Sequence, residues 1–178
     1  HVAALADLPA TIRRMVELRR ARLEDAEALR EIYNAEVLGS TVTFDLVPRS
    51  PEDQLEWMAA HAGAYPVVVA TDGPDGEVVG FSSLSPYRSR PGYAPTVEDS
   101  VYVAAGHRGR GVGRLLLGEI VRLAAAHGFH SVIGRVVGDH PASIALHRSL
   151  GFQVVGVERE VGRKFGRWLD VTILQRMC

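Results

Sequence analysis

Thr96-Val97-Glu98-Asp99-Ser100-Val101-Tyr102-Val103, followed by Arg108-Gly109-Arg110-Gly111-Val112-Gly113 and an apolar run to His127, is the stretch whose reading decides the fold. Val97 to Val103 is β-branched and reads as a strand, with Glu98, Ser100 and Tyr102 on one face and valines 97, 101 and 103 on the other. From Gly113 to about His127, Leu116, Ile120, Leu123 and Ala124 recur on one helical face, and Gly128 stops the helix. Between strand and helix stand glycines 109, 111 and 113. With no Cβ, they let a ligand come close to the backbone. Their N–H groups, with the first helical turn, make a concave anion site to which Arg108, Arg110 and Arg114 add positive charge. The ligand this predicts is a pyrophosphate. On spacing alone, a plain glycine-rich turn with solvated arginines stays open. A dinucleotide fold is disfavoured, because the tight G-x-G-x-x-G pattern and an N-terminal βαβ placement are both absent.

Upstream, Glu17 to Arg22 reads as a strand, and Leu29, Ile32, Tyr33 and Val37 mark an amphipathic helix over Asp25 to Leu38. Ser50-Pro51-Glu52-Asp53 supplies a hydroxyl cap, a first-turn proline and two acids, starting a helix that ends near Gly63. Pro66 to Thr71 and Glu77 to Ser83 flank a turn at 72–76 and predict a hairpin. Pro86 to Pro95, with its prolines and two arginines, reads as an irregular functional loop. Together these describe a single α/β domain over 16–178, with 1–15 set apart as an N-terminal extension.

Bulk properties narrow the function. The net charge of −1 offers no footprint for nucleic acid or a membrane surface. No apolar run approaches the roughly 20 residues needed to span a bilayer. The one cysteine, Cys178, rules out a disulfide within the chain and fits a reducing, cytoplasmic setting. No metal is expected.

The R-x-x-G-x-G loop between strand and helix resembles the pyrophosphate loop of the GNAT N-acetyltransferases. Thr96 to Val103, Ala142-Ser143-Ile144-Ala145-Leu146-His147-Arg148-Ser149-Leu150-Gly151-Phe152, and Gly162-Arg163-Lys164-Phe165-Gly166-Arg167-Trp168-Leu169-Asp170 are similar to one branch, the phosphinothricin and methionine sulfoximine acetyltransferases. Ile32-Tyr33-Asn34 and Thr43-Phe44 fit the same branch, so the likeness spans about residues 17 to 176. It implies a GNAT fold: a mixed, twisted sheet of six or seven strands, helices on both faces, and a central strand pair that splays. Acetyl-CoA would lie in that gap, its pantetheine pairing like an added strand.

The resemblance also implies roles. Val101, Tyr102 and Val103 line the thioester end, and a backbone N–H at a bulge near Val103 polarises the thioester carbonyl. Gly109, Arg110, Gly111, Val112, Gly113 and Arg114 hold the pyrophosphate. Arg88, Ser89 and Arg90, with Glu98, Asp99 and Ser100, bind the acceptor, the arginines suiting a carboxylate or phosphinate. Phe44 and Lys164 are further wall residues. A protonated amine cannot attack a thioester, so a base is needed. Glu98 is the first candidate. His147, which shares a helical face with Ile144 and Leu150, is the second.

Two departures stand out. His140 occupies the place of an asparagine that commonly bonds the pantetheine; an imidazole still donates but is bulkier. No tyrosine follows Tyr102, which removes the acid many superfamily members use on the leaving thiolate. The expected activity is acetyl-CoA-dependent N-acetylation of a small amino-acid-like amine, by a homodimer with no nucleic-acid or membrane partner. A protein or peptide N-acetyltransferase is disfavoured by the missing tyrosine and the arginine loop. A non-catalytic acetyl-CoA-binding module is disfavoured by the intact Glu98 and glycine loop.

Overall fold

In the computed structural model, which describes residues 16–138 and 140–178, the chain runs β1 (Val16–Arg20), α1 (Ala26–Gly39), α2 (Pro51–Ala60), β2 (Val67–Asp72), β3 (Val78–Pro86), β4 (Thr96–Val103), α3 (Val112–Ala126), β5 (Ser131–Val137), α4 (Pro141–Ser149), β6 (Gln153–Lys164) and β7 (Arg167–Met177). The expected extension over 1–15 lies outside the described residues.

Seven strands form one sheet in the order β1-β2-β3-β4-β5-β7-β6. β4 and β5 pair in parallel, and the other neighbours are antiparallel. β2 shows why both faces must be covered. Val68 and Ala70 point into a cluster with α3 residues such as Leu116 and Ile120, while Val67 and Val69 point into a second cluster with Leu29, Tyr33 and Val37 of α1. Alternation in one strand therefore builds two cores. Each fully buried aliphatic side chain contributes about 1.5–3 kcal/mol. α2 adds Trp57 to the α1 side, and α4 adds Ile144 and Leu146 to the α3 side.

Several expected boundaries move for local reasons. β1 ends at Arg20, because a 3-10 turn over Leu23–Asp25 follows. The Asp25 carboxylate takes the Arg22 N–H at 2.7 Å and the two terminal guanidinium nitrogens of Arg19 at 2.7 and 2.8 Å, so α1 begins at Ala26. α2 starts as read, with Ser50 and Asp53 forming a reciprocal capping box. β3 continues to Pro86, which pairs with Val97, so the irregular loop shortens and carries one 3-10 turn at Pro91–Tyr93.

The sheet parts in the middle. β4 and β5 pair only from Thr96↔Ser131 to Asp99↔Gly134. Beyond that point β4 stays with β3, down to Val103↔Gly80, and β5 stays with β7, up to Val137↔Val171. Their facing edges diverge into a wedge. The bulge expected near Val103 is absent: the β3–β4 register is unbroken, and the opening comes from divergence alone.

Candidate active site

The wedge is the mouth of a cavity of about 470 Å³. Its walls come from Glu98 to Val103 of β4, Arg135 to Val137 of β5, the Val42–Phe44 loop after α1, His140 at the N-cap of α4, and Ser143, Leu146 and His147 along that helix. Glu98, Asp99, Ser100, Val101, Tyr102, Val103, His140 and His147, all named from the sequence, thus meet around one space.

Residues 109–114 of the glycine loop do not line that cavity; the loop leads into α3, where a Cβ on Gly113 would stand 3.7 Å from Val103 and 3.3 Å from Leu146, both cavity residues. Gly109 and Gly111 have φ of +73° and +84°, a left-handed backbone that side-chain-bearing residues rarely adopt. Among the described residues, no acceptor takes the N–H of Gly109, Arg110, Gly111, Val112 or Gly113; bonding resumes at Arg114, whose N–H reaches the Gly111 carbonyl at 3.1 Å. Consecutive free amides at a helix N-terminus suit a pyrophosphate. Arg108 instead turns inward. Its Nε donates to the Val103 carbonyl at 3.0 Å and its guanidinium pairs with the buried Glu36. It thus ties the loop to β4 and α1 rather than standing free in the anion site.

Glu98 lies on the α1 face of β4. Among the described residues no donor reaches its carboxylate, which lines the cavity. Burial pushes its carboxyl above the ordinary glutamate range; nearby Arg135 pulls it down, and Asp99 and Glu158 push it further up. Arg135 is held by Glu158 at 2.7 Å. The sequence gives no signal for Arg135, whose position depends on β5 and β6 both pairing with β7.

Asp99 points the other way. It is buried on the α3–α4 face, where its Oδ2 lies 3.1 Å from Nε2 of His147. Nδ1 of His147 lies 2.8 Å from the Ser143 carbonyl. Burial opposes a charge on this ring, but the bonded Asp99 carboxylate outweighs it and raises the imidazole above the ordinary histidine range.

The remaining residues lie as follows. His140 caps the start of α4, with its Nε2 3.3 Å from Thr41 Oγ1. Lys164 is buried, its Nζ donating to the Thr43 carbonyl at 2.9 Å within the same chain, and desolvation lowers its pKa. Phe44 forms part of the cavity wall. Arg88, Ser89 and Arg90 do not line the wedge; they form a separate exposed hollow with Tyr93. There the Arg88 guanidinium stands 4.9 and 5.4 Å from the ring centres of Tyr87 and Tyr93. Among the described residues no three His, Cys, Asp or Glu side chains group as metal ligands, and no helix is long and apolar enough to cross a membrane.

Comparison with known proteins agrees with this geometry. Residues 26–152 match the acetyltransferase (GNAT) family. The chain is 41% identical over 163 residues to a phosphinothricin N-acetyltransferase of Streptomyces coelicolor, covering 90% of this chain and 95% of that protein. It is 39% identical over 159 residues to an L-methionine sulfoximine/L-methionine sulfone acetyltransferase of Pseudomonas paraeruginosa, covering 89% and 92%. A crystal structure of a GNAT superfamily phosphinothricin acetyltransferase from Sinorhizobium meliloti, in complex with acetyl-CoA, superposes with a TM-score of 0.86 at 40% identity, covering 92% of this chain and 88% of that one.

Proposed function

The chain belongs to the GNAT family of acetyltransferases, and on that premise we propose that it acetylates the amino group of a small anionic amino acid of the methionine sulfoximine or phosphinothricin class. The observation that carries this reading is a free, half-buried carboxylate, Glu98, in the wall of a wedge, with the unbonded amides of the glycine loop nearby at the start of α3.

Acetyl-CoA supplies the activated thioester. The residues that would hold it are Val101 to Val103 along the wedge and the amides of Gly109 to Gly113 at its phosphate end. Glu98 accepts the proton of the incoming ammonium, directly or through one water. Its raised pKa brings it closer to that of the amine and so strengthens it as a base. Ser100, on the same face, offers a hydroxyl to the acceptor. Arg88 and Arg90 stand in the separate hollow outside the wedge, so their assignment to the acceptor's anionic end rests on the family likeness and not on the cavity. His147 is not assigned the second acid–base role expected from the sequence, because both of its ring nitrogens are already engaged.

The active form in this proposal is a homodimer. Val155, Val157 and Val161 are exposed on the edge strand β6, and Trp168 is exposed beside them on β7. An apolar edge of that kind is normally covered. The setting is the cytoplasm, where a lone thiol such as Cys178 stays reduced.

The test is coenzyme A thiol release across an amine panel. Methionine sulfoximine and phosphinothricin are expected to give the highest kcat/KM. A higher value for a polyamine, or for a peptide with a free N-terminus, overturns the substrate assignment. Sedimentation of a monomer at assay concentration overturns the dimer.

A further inference from the structure

Asp99 and Gly134 form the last rung of the β4–β5 ladder, and the His147 imidazole lies against that rung. A Cβ built on Gly134 would stand 2.7 Å from His147 Cδ2, 2.8 Å from Nε2 and 3.2 Å from Asp99 Oδ1. Phe152 meets the other side of the ring edge-on, its centroid 5.0 Å away. Nδ1 faces a carbonyl, which only accepts, so it carries a proton. Nε2 faces Asp99 Oδ2, and one proton lies between them whichever group holds it. No ring nitrogen is left to exchange a proton with a reacting group. The ring thus joins α4 to β4 across the point where β4 and β5 part.

We propose that Asp99 and His147 form a positioning clasp that fixes the opening of the wedge, and with it the affinity for acetyl-CoA, and that the pair is not a proton relay. Asp99 Oδ1, buried and without a hydrogen-bond partner among the described residues, is an acceptor left at this apex for an N–H donor of whatever fills the wedge. Gly134 is part of the device, since any side chain there displaces the ring.

The clasp rests on the wedge being the coenzyme site, and the two ideas fail separately. The experiment is calorimetric titration with acetyl-CoA, beside steady-state kinetics at saturating coenzyme, on wild type, Asp99→Asn and Gly134→Ala. Asp99→Asn is isosteric and keeps a neutral hydrogen bond to the ring; Gly134→Ala keeps both groups and moves the ring. A clasp predicts that Kd for acetyl-CoA rises about tenfold in each, the scale of one lost charge-assisted hydrogen bond, with any fall in kcat no larger. A Kd equal to wild type, with kcat down about 10²-fold or more in Asp99→Asn, is the signature of proton transfer and overturns the clasp. If wild type itself binds no acetyl-CoA, the coenzyme reading falls first.

Discussion

The Phe44 ring lies against the backbone of Gly162, so closely that a Cβ on Gly162 would stand 2.3 Å from two of its ring carbons. A wall of the cavity is therefore set by the absence of a side chain on β6, a strand that contributes no residue of its own to the cavity wall. Gly162→Ala must push Phe44 into or away from the cavity. The expected cost is about 1–3 kcal/mol of stability, the usual scale for overpacking, with a severalfold rise in acceptor KM. Thermal denaturation and steady-state kinetics check both; a variant with wild-type Tm and KM would mean that the ring moves freely.

Gly111 sits in the left-handed region at φ +84° as the N-cap of α3, among amides that have no other partner. Gly111→Val combines a strained backbone with a Cβ in the proposed anion cradle. Acetyl-CoA Kd is expected to rise at least tenfold while circular dichroism stays that of wild type. Unchanged coenzyme binding in a folded variant would remove this loop from the pyrophosphate site.

The strand, glycine loop and helix from Thr96 to His127 were legible because each is a local pattern: alternation, backbone freedom and helical spacing. The wedge was legible only through the family resemblance, since nothing local says that β4 leaves β5 after Asp99. Asp99 and Glu98 adjoin in sequence, and both were expected on the acceptor. Yet strand alternation sends Asp99 to His147, 48 residues away, on the opposite face. Arg135, Glu36 and the inward turn of Arg108 depend on strand order and helix docking, which no spacing encodes. The arginine loop was legible as a loop; its separate hollow was not.

Asp25 is buried and bonded to the two terminal guanidinium nitrogens of Arg19 and to the Arg22 N–H. Burial alone would raise its pKa; the hydrogen bonds from Arg19 and Arg22 outweigh that and hold it below 3.8. Its folded pKa is depressed, so its stabilisation is present above the unfolded value and is lost as pH falls through the folded one. Asp25→Ala is expected to cost about 3 kcal/mol at pH 7, the scale for removing one partner of a buried pair. Urea denaturation at pH 7 and at pH 3 should show the gap narrowing on acidification; an unchanged gap would mean the loss is one of packing.

Glu98 makes opposite demands on activity and stability. As a base it must be ionised, but burial raises its pKa, so the acid limb of kcat/KM should lie above the range of an ordinary carboxylate. A raised folded pKa gives stability that is fully present below the unfolded value, 4.5, and is lost as pH rises through the folded value. At pH 7 the ionised group therefore weakens the fold, and Glu98→Gln, neutral and of the same shape, should raise Tm. The same variant should lose about 10²–10⁴-fold in kcat at pH 7, the usual contribution of a general base. That deficit should shrink in alkali, where more of the acceptor amine is already free. A rate that falls while Tm rises cannot come from misfolding, so the two measurements together isolate the chemistry. If the loss appears only in acceptor KM, Glu98 anchors the ammonium and a water must take the proton. If kcat, KM and Tm all match wild type, Glu98 is not in the site.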